Sequence, residues 1–469
     1  MSGSSGVVEA LVDALGEAVR TDERSRNAYG RDWWARSDLT GWLGQDPPLP
    51  RAVVMPESTA ALSRAVSICR NHGTPMIPRG AGSGVVGGVL ADDRAVVVAT
   101  DRLAGVRRYD AGDGLVTFGA GTLGSDAEGY LADRGHTLGH WPQSIDRSSV
   151  GGWVATRASG QYSTAYGNIE DMVEGLEAVL ADGTIYRSRE TPRAAAGPDL
   201  RQLLIGSEGT LGIVSEVTLR VLPKPEESLR RAYHFESFEA GIAAMRSSLV
   251  PGWRPAVVRL YDPRESARHF RGTCPSGRCM LIFLHEGPAP RASVEADAVA
   301  KCCLAAGGEL GDEAAVDAWF EHRNTVPTWR SLFDQGLIAD TIEVATHWSR
   351  LPRLYEAVVA RMKEEPSLLA ITAHSSHAYQ TGANLYFSFA AAPERSSAML
   401  ETYDRCWSLA MRAVRECGAG IAHHHGIGRV RRDWLATELG PAGVRMLRSV
   451  KRALDPDDLL NRGVLIPVG

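Results

Sequence analysis

Several things are scarce or missing in this chain, and each shortage closes off a class of protein. Its seven cysteines (Cys69, Cys274, Cys279, Cys302, Cys303, Cys406 and Cys417) are odd in number among 469 residues, with no CxxC pair. A disulfide scaffold or zinc ribbon is therefore not expected, "CPSGRC" reads as a loop, and a reducing, cytoplasmic setting fits best. No run approaches the roughly 18–20 apolar residues of a membrane span. The opening "MSGSSGVVEALVDALGEAVRTDERSRNAYGRDWW" lacks a basic region followed by an apolar core, so no secretory signal is expected. Positive charge is not in excess either: the net charge of −5 offers no general field to nucleic acid or anionic lipid. Repeats and low-complexity tracts are absent.

What is present is enough for a large core. A chain of 469 residues with 44% hydrophobic and 23% charged content is ordinary for a soluble globular protein of two or three domains. Residues 57–72, "ESTAALSRAVSICRNH", carry apolar positions at helical spacing, and "TPMIP" follows as a short apolar run. "AVVVAT" (95–100) and "GLVTFGAG" (114–121) have strand character. A polar, proline-containing stretch at 223–227 marks a boundary. Beyond it "RPAVVRLYD", "CMLIFLHEG" and "NLYFSFAAA" read as strands, with helices around 291–306, 350–364 and 394–417. The expected class is α+β: an N-terminal helical segment (1–48), a first domain (49–225), a second α+β domain (226–420) and a C-terminal segment (421–469).

Residues 82–87, "GSGVVG", spell GxGxxG, and Asp101 follows at about the distance of a Rossmann acid. That motif must open a helix so that the helix N-terminus faces a pyrophosphate. Here it runs into "VGGVLADDRAVVVAT", whose glycines and β-branched residues oppose a helix. Gly80, Gly82 and Gly84 can still turn successive backbone N–H groups toward a phosphate; the alternative is a mobile turn.

Two longer stretches narrow the choice: "GHWPQSIDRSSVGGWVATRASGQYSTAYGNIEDMVEGLEAVLADG" (139–183) and "GPDLRQLLIGSEGTLGIVSEVTLRVLP" (197–223). With them the chain resembles the flavin-binding family that includes vanillyl-alcohol oxidase and the D-2-hydroxy-acid dehydrogenases, from about residue 49 onward. Within it, "VGGWVATRASGQYSTAYGNIEDMV" is most similar to the alkylglycerone-phosphate synthases. The resemblance implies a two-subdomain FAD-binding domain of the PCMH type over 49–225 and a substrate-binding cap after it. It places the FAD pyrophosphate on Pro78, Arg79, Gly80, Ala81, Gly82, Ser83 and Gly84. It lines the flavin with Gln143, Ser144, Ile145, Asp146, Arg147, Ser148, Ser149, Thr156, Arg157, Ala158 and Ser159. Glu208, Gly209, Thr210, Leu211, Gly212, Ile213 and Val214 complete the adenine side. The "GH" before "WPQS" matches non-covalent relatives, so bound but untethered FAD is expected.

The stretch "IAHHHGIGRVRRDWL" (421–435) holds His423, His424 and His425. The hydroxy-acid dehydrogenases similar to this chain carry metal ligands in this region. His377 matches the first of them, Tyr386 replaces the second, and His424 stands at the glutamate position. A nitrogen-rich Zn²⁺ site from His374, His377 and the run stays open. Adjacent histidines on an extended chain point opposite ways, however, and no metal is expected. The resemblance to the synthases instead makes Tyr386 and His423–His425 proton carriers beside the flavin, with the tyrosine as base once neighbouring cations lower its pKa; the alternative is a strand residue facing the core.

Arg259, in "RPAVVRLYD", and Arg330, in "TVPTWRSLFDQG", match arginines of the synthase site and would grip a phosphate or carboxylate. The implied reaction exchanges an acyl for an alkyl group on acyl-dihydroxyacetone phosphate, through a bond to flavin N5 and without net redox. The runner-up is an FAD-dependent oxidase or dehydrogenase of a small hydroxy acid or alcohol. "PRESARHFRGTCPSGR" replaces a longer insertion of the synthases linked to lipid and membrane contact; its polar, basic character argues against a long acyl chain. The expected partners are a small anionic substrate and, as in many family members, a second copy of the chain, with room for peripheral membrane contact.

Overall fold

The computed structural model describes residues 6–325 and 328–467. Val326 and Pro327, in the segment that carries Arg330, lie outside these, as do residues 1–5 and 468–469. The first domain holds two sheets. In one, Ala52–Val54, Val96–Ala99 and Met76–Arg79 run parallel, and Val19–Arg20 closes the edge antiparallel. The helix Thr59–Asn71 makes the crossover, started by Ser58, whose Oγ accepts from Ala61 N at 3.2 Å. The strand Val96–Ala99 is buried on both faces, which is why it reads as an unbroken apolar run. Residues 80–94 form a loop with no helix, as their glycines and β-branched residues led us to expect. The second sheet is antiparallel, in the order Val106–Asp110, Leu115–Gly119, Ile213–Arg220, Val173–Val179, Ile185–Arg187.

The second domain is a seven-stranded antiparallel sheet. Val257–Tyr261, Leu368–Ser375, Gly382–Ala391 and Ile338–His347 are adjacent in that order, the last of them at the sheet's edge. Helices Phe238–Leu249, Ala289–Ala305, Leu351–Met362 and Met399–Glu416 cover one face, and Val258, Leu260, Ala373, Leu385, Phe387, Ile342 and Val344 join that core. Because side chains alternate along a strand, the intervening Arg259, Tyr261, His374, Tyr386 and Glu343 fall on the opposite face. Register then lines them up: Tyr261 pairs with His374, His374 with Tyr386, and Tyr386 with Glu343. Four polar side chains thus form one row across four strands, at the separation of direct cross-strand neighbours.

The chain's two ends do not stand apart as separate units. Val7 and Leu11 join the core of the first sheet, whereas Ala35 and Leu39 join that of the second domain. After the helix Leu435–Leu454, Leu460 bridges to Met76 and Asn461 N donates to Met76 O at 2.8 Å. The buried Lys451 ammonium donates to the carbonyls of Thr210 and Leu460, at 3.0 and 2.8 Å, and pairs with Asp455. All seven cysteines are free, and no helix among the described residues is long and apolar enough to cross a membrane.

Candidate active site

A cavity of about 860 Å³ runs between the two domains, within the range of cofactor and substrate sites. At one end the strand Met76–Arg79 delivers the loop 80–84, and every residue from Pro78 to Gly84 lines the wall. The N–H groups of Gly82, Ser83 and Gly84 have no backbone acceptor among the described residues. Gly82 has φ +78°, and a Cβ there would sit 2.4 Å from the Arg79 guanidinium; one on Gly80 would sit 2.6 Å from Ser149 Oγ. Both positions keep the backbone bare. Unpaired N–H groups on a bare concave loop suit the pyrophosphate of a dinucleotide, so the residues present fit FAD.

Most of the other residues expected at the cofactor line the same cavity: Gln143, Ser144, Ser148, Ser149, Thr156, Ala158, Ser159, Glu208, Gly209, Gly212, Ile213 and Val214. Six residues of the expected runs are turned elsewhere. Ile145 and Leu211 are buried in the protein core, and Asp146 is exposed. Arg147 lies over the Trp33 ring at 4.7 Å. Arg157, with φ 54° at the end of helix Val150–Thr156, pairs with Glu170 at 3.0 Å. Thr210 also stays off the wall, its hydroxyl donating to Ser207 O at 2.7 Å. A motif taken as a run cannot say which of its residues face the ligand, since successive side chains point in different directions. Trp33 and the buried Asp32 do line the cavity, yet they come from the N-terminal segment, where only the "DWW" cluster could have drawn attention. His140 of the "GH" pair is fully buried, with its ring against Trp153 at 4.6 Å, and is not in the wall.

Glu208 has a second task. Its carboxylate accepts from Ile427 N at 2.7 Å and Gly428 N at 2.8 Å. It thereby ties the turn at 208–212 to the turn that follows the histidine run. Burial pushes its pKa up to about 7.

At the other end of the cavity stands the row described above. The Tyr386 ring stacks 4.8 Å from His374 on one side and 6.1 Å from His424 on the other, with His425 edge-on at 5.5 Å. The expectation that cations lower the tyrosine pKa is overturned. Burial, reinforced by the carboxylates of Glu343, Asp340 and Glu265, raises it, against a Thr341 hydrogen bond that lowers it. Tyr386 therefore keeps its proton near neutral pH. Burial lowers the neighbouring imidazoles instead: His423 to about 4, and His424 and His377 well below their ordinary value.

The histidine run is held by one buried carboxylate. Glu343 Oε1 accepts from the N–H groups of His423, His424 and His425 at 3.2, 3.1 and 2.8 Å. Its Oε2 pairs with Arg431, and both side chains are fully buried. Burial opposes ionisation of Glu343, yet Arg431 and His425 hold its carboxyl well below the usual range. So anchored, His424 and His425 face the cavity while His423 turns behind, stacking on His377 at 4.8 Å and meeting Tyr379 Oη at 2.7 Å. Ring nitrogens of His377, His423 and His424 lie within 4.8 Å of one another. Among the described residues this is the one place where three such ligands converge, and sequence reasoning assigned no metal.

Of the two expected arginines, the structure brings one to the site. Arg259 lines the cavity; Arg330 is exposed, near Asp38, and is not in the wall. On the single turn Arg330–Phe333, Phe333 enters the core and Trp329 faces the cavity, leaving Arg330 to solvent about 100° round from Trp329. A guanidinium that was not expected, Arg323 at the end of helix Ala314–His322, also lines the wall. Arg259 and Arg323 share the Trp319 ring, at 5.6 and 5.4 Å from its centroid. Arg323 was missed; the aromatic residues of "WFEHR", against which it packs, were the one local signal.

A bare glycine loop, a domain-spanning cavity and a polar row facing it define a dinucleotide-dependent enzyme. Comparison with known sequences makes this definite. The profile of the FAD binding domain matches residues 50–189, and that of the FAD linked oxidases, C-terminal domain, matches residues 224–465. The chain is 34% identical to an uncharacterized FAD-linked oxidoreductase, YgcU, of Escherichia coli (strain K12), covering 99% of each protein. It is 29% identical to alkyldihydroxyacetonephosphate synthase of Caenorhabditis elegans, over 91% of this chain and 77% of that one. A solved alkyldihydroxyacetonephosphate synthase shares the fold with a TM-score of 0.80 at 24% identity, covering 97% of this chain and 84% of that one. The chain belongs to the FAD-linked oxidase family and is a flavoenzyme with FAD as cofactor.

Proposed function

We propose that this enzyme exchanges one oxygen-linked substituent for another on a small ketone phosphate, as an alkyldihydroxyacetonephosphate synthase does. The observation that carries the reading is the row across the sheet: Tyr386 lies between His374 and His424, with Arg259 beside it, facing the cavity that begins at the glycine loop. Bound FAD supplies an electron-accepting ring beside the substrate carbon. The chain's own residues hold the substrate and move its proton. Arg259 and Arg323 grip the phosphate. His424, uncharged near neutral pH, takes the proton from the carbon and returns it after the exchange, and Tyr386, which keeps its phenolic proton, gives it to the departing carboxylate and is reloaded by the alcohol. The carboxylate leaves, an alcohol oxygen takes its place, and the alcohol's proton departs with the released acid. No electrons are gained or lost overall. Arg268, His269, His322 and Arg323 in the cavity wall support a short anionic substrate over a long acyl chain.

A second reading, oxidation of a small hydroxy acid, is favoured by the imidazole cluster His377, His423 and His424, whose spacing suits a divalent cation. Anaerobic absorbance spectroscopy of the FAD-loaded protein separates the two. Under the first reading a short-chain acyl-dihydroxyacetone phosphate perturbs the flavin band and an added alcohol restores it. Lasting bleaching by a hydroxy acid, with no response to the ketone phosphate, would select the second.

A further inference from the structure

The short polar segment that follows strand Val257–Tyr261 folds as the helix Pro263–His269, begun by Asp262, whose Oδ1 accepts from Glu265 N at 2.8 Å. This helix sends one carboxylate inward. The Glu265 side chain is 1% exposed. Its Oε2 meets His374 Nδ1 at 2.8 Å, and its Oε1 accepts from Thr372 at 3.0 Å, Ser388 at 3.3 Å and Arg268 at 3.2 Å. On the far side of the ring, His374 Nε2 lies 3.2 Å from Arg259 Nη2, and Arg259 Nε donates to Tyr261 Oη at 2.7 Å.

We propose that Glu265 is a positioning residue for anion binding: through His374 it aims the Arg259 guanidinium into the substrate chamber. This rests on the reading that Arg259 holds the substrate's anionic group. Donor and acceptor chemistry carries it. A guanidinium has only donors and a carboxylate only acceptors. The imidazole between them must therefore carry its proton on Nδ1, toward Glu265, and turn a lone pair on Nε2 toward Arg259. Without the carboxylate the proton is free to sit on Nε2, where it opposes an N–H of Arg259 and pushes the fork aside. With it, Arg259 is fixed through Nε and Nη2, and Nη1 is left for a ligand. The same ring stacks 4.8 Å from Tyr386, so one carboxylate sets the anion site and one face of the tyrosine.

The test is calorimetric titration of inorganic phosphate into the FAD-loaded protein. Glu265→Ala weakens phosphate binding about tenfold, the size expected when one hydrogen bond is removed, and leaves FAD content unchanged. Arg259→Ala weakens it at least as much, and the double variant is no weaker than Arg259→Ala alone. A tenfold loss from Glu265→Ala that persists without Arg259 would show that Glu265 acts on the fold at large, and overturns the inference. Phosphate affinity untouched by Arg259→Ala overturns the underlying reading instead. Should Glu265→Ala fail to fold, His374 decides. His374→Gln, whose amide donates to Glu265 and accepts from Arg259, keeps the affinity within about threefold, whereas His374→Leu loses about tenfold; equal losses in both overturn the relay.

Discussion

At one end of the cavity the wall is the backbone of a five-residue loop, Gly80 to Gly84, with free N–H groups at Gly82 to Gly84 among the described residues. At the proposed substrate end it is side chains drawn from residues as distant as Arg259 and His425. The loop needs little from the rest of the chain beyond the strand that delivers it and Ser149, which takes the N–H of Ala81 at 3.3 Å. The substrate end depends on a seven-stranded sheet in correct register and on one buried carboxylate, Glu343, that holds three consecutive N–H groups. A site made of backbone is set by which residues are small; a site made of side chains is set by what stands behind them.

The comparison is tested hardest at Glu343. Glu343→Ala leaves Arg431 buried without a counter-ion and should cost about 3–5 kcal/mol of stability, measured by urea unfolding. Because its folded pKa lies below the unfolded value, Glu343 contributes fully above about pH 4.5, and its contribution is lost as pH falls below that. The stability curves of wild type and variant should therefore converge in acid, and curves that stay parallel would deny the charge its role.

Tyr386→Phe should come next: turnover falls by about 10²–10⁴, the usual span for a proton-transfer group, while the yellow colour of bound FAD is retained. A variant with normal turnover would remove Tyr386 from the chemistry. The reverse pattern is expected at the other end. Gly82→Ala forces a side chain into a left-handed conformation at a cost of about 1–3 kcal/mol, read as a roughly tenfold or greater loss of FAD affinity; full FAD occupancy would mean that the loop does not hold it. The smallest effect sharpens the choice between two arginines. Arg323→Lys should raise KM several-fold by removing a bidentate fork, and Arg330→Lys should leave it unchanged. Equal effects from the two would return Arg330 to the site.

Legibility followed the same division. Residues 80–84 line the cavity in full because small residues spaced along a short loop are a local signal. The rejection of a Rossmann helix after Gly82 rested on equally local preferences, glycine and β-branched residues opposing a helix. Tyr386 and the histidine run came from motif resemblance, but the protonation state assigned to the tyrosine was wrong. That state depends on burial and on Glu343, Asp340 and Glu265, none of which is near it in sequence. Arg330 was named and Arg323 was not, because a motif carries residue types and not the direction of one helical turn. Asp32 and Trp33 were passed over because nothing marks an N-terminal segment as the wall of a distant cavity.

By itself, then, the sequence determined the fold class, several of the helices and strands, and a loop of small residues with a bare backbone. These follow from periodicities and backbone preferences that act over a few residues. Only the tertiary structure decided that Tyr261, His374, Tyr386 and Glu343 form a row, that Glu265 lies behind His374, and that Arg323 rather than Arg330 faces the cavity. Strand register and burial are properties of the whole sheet, and no short stretch of the chain contains them.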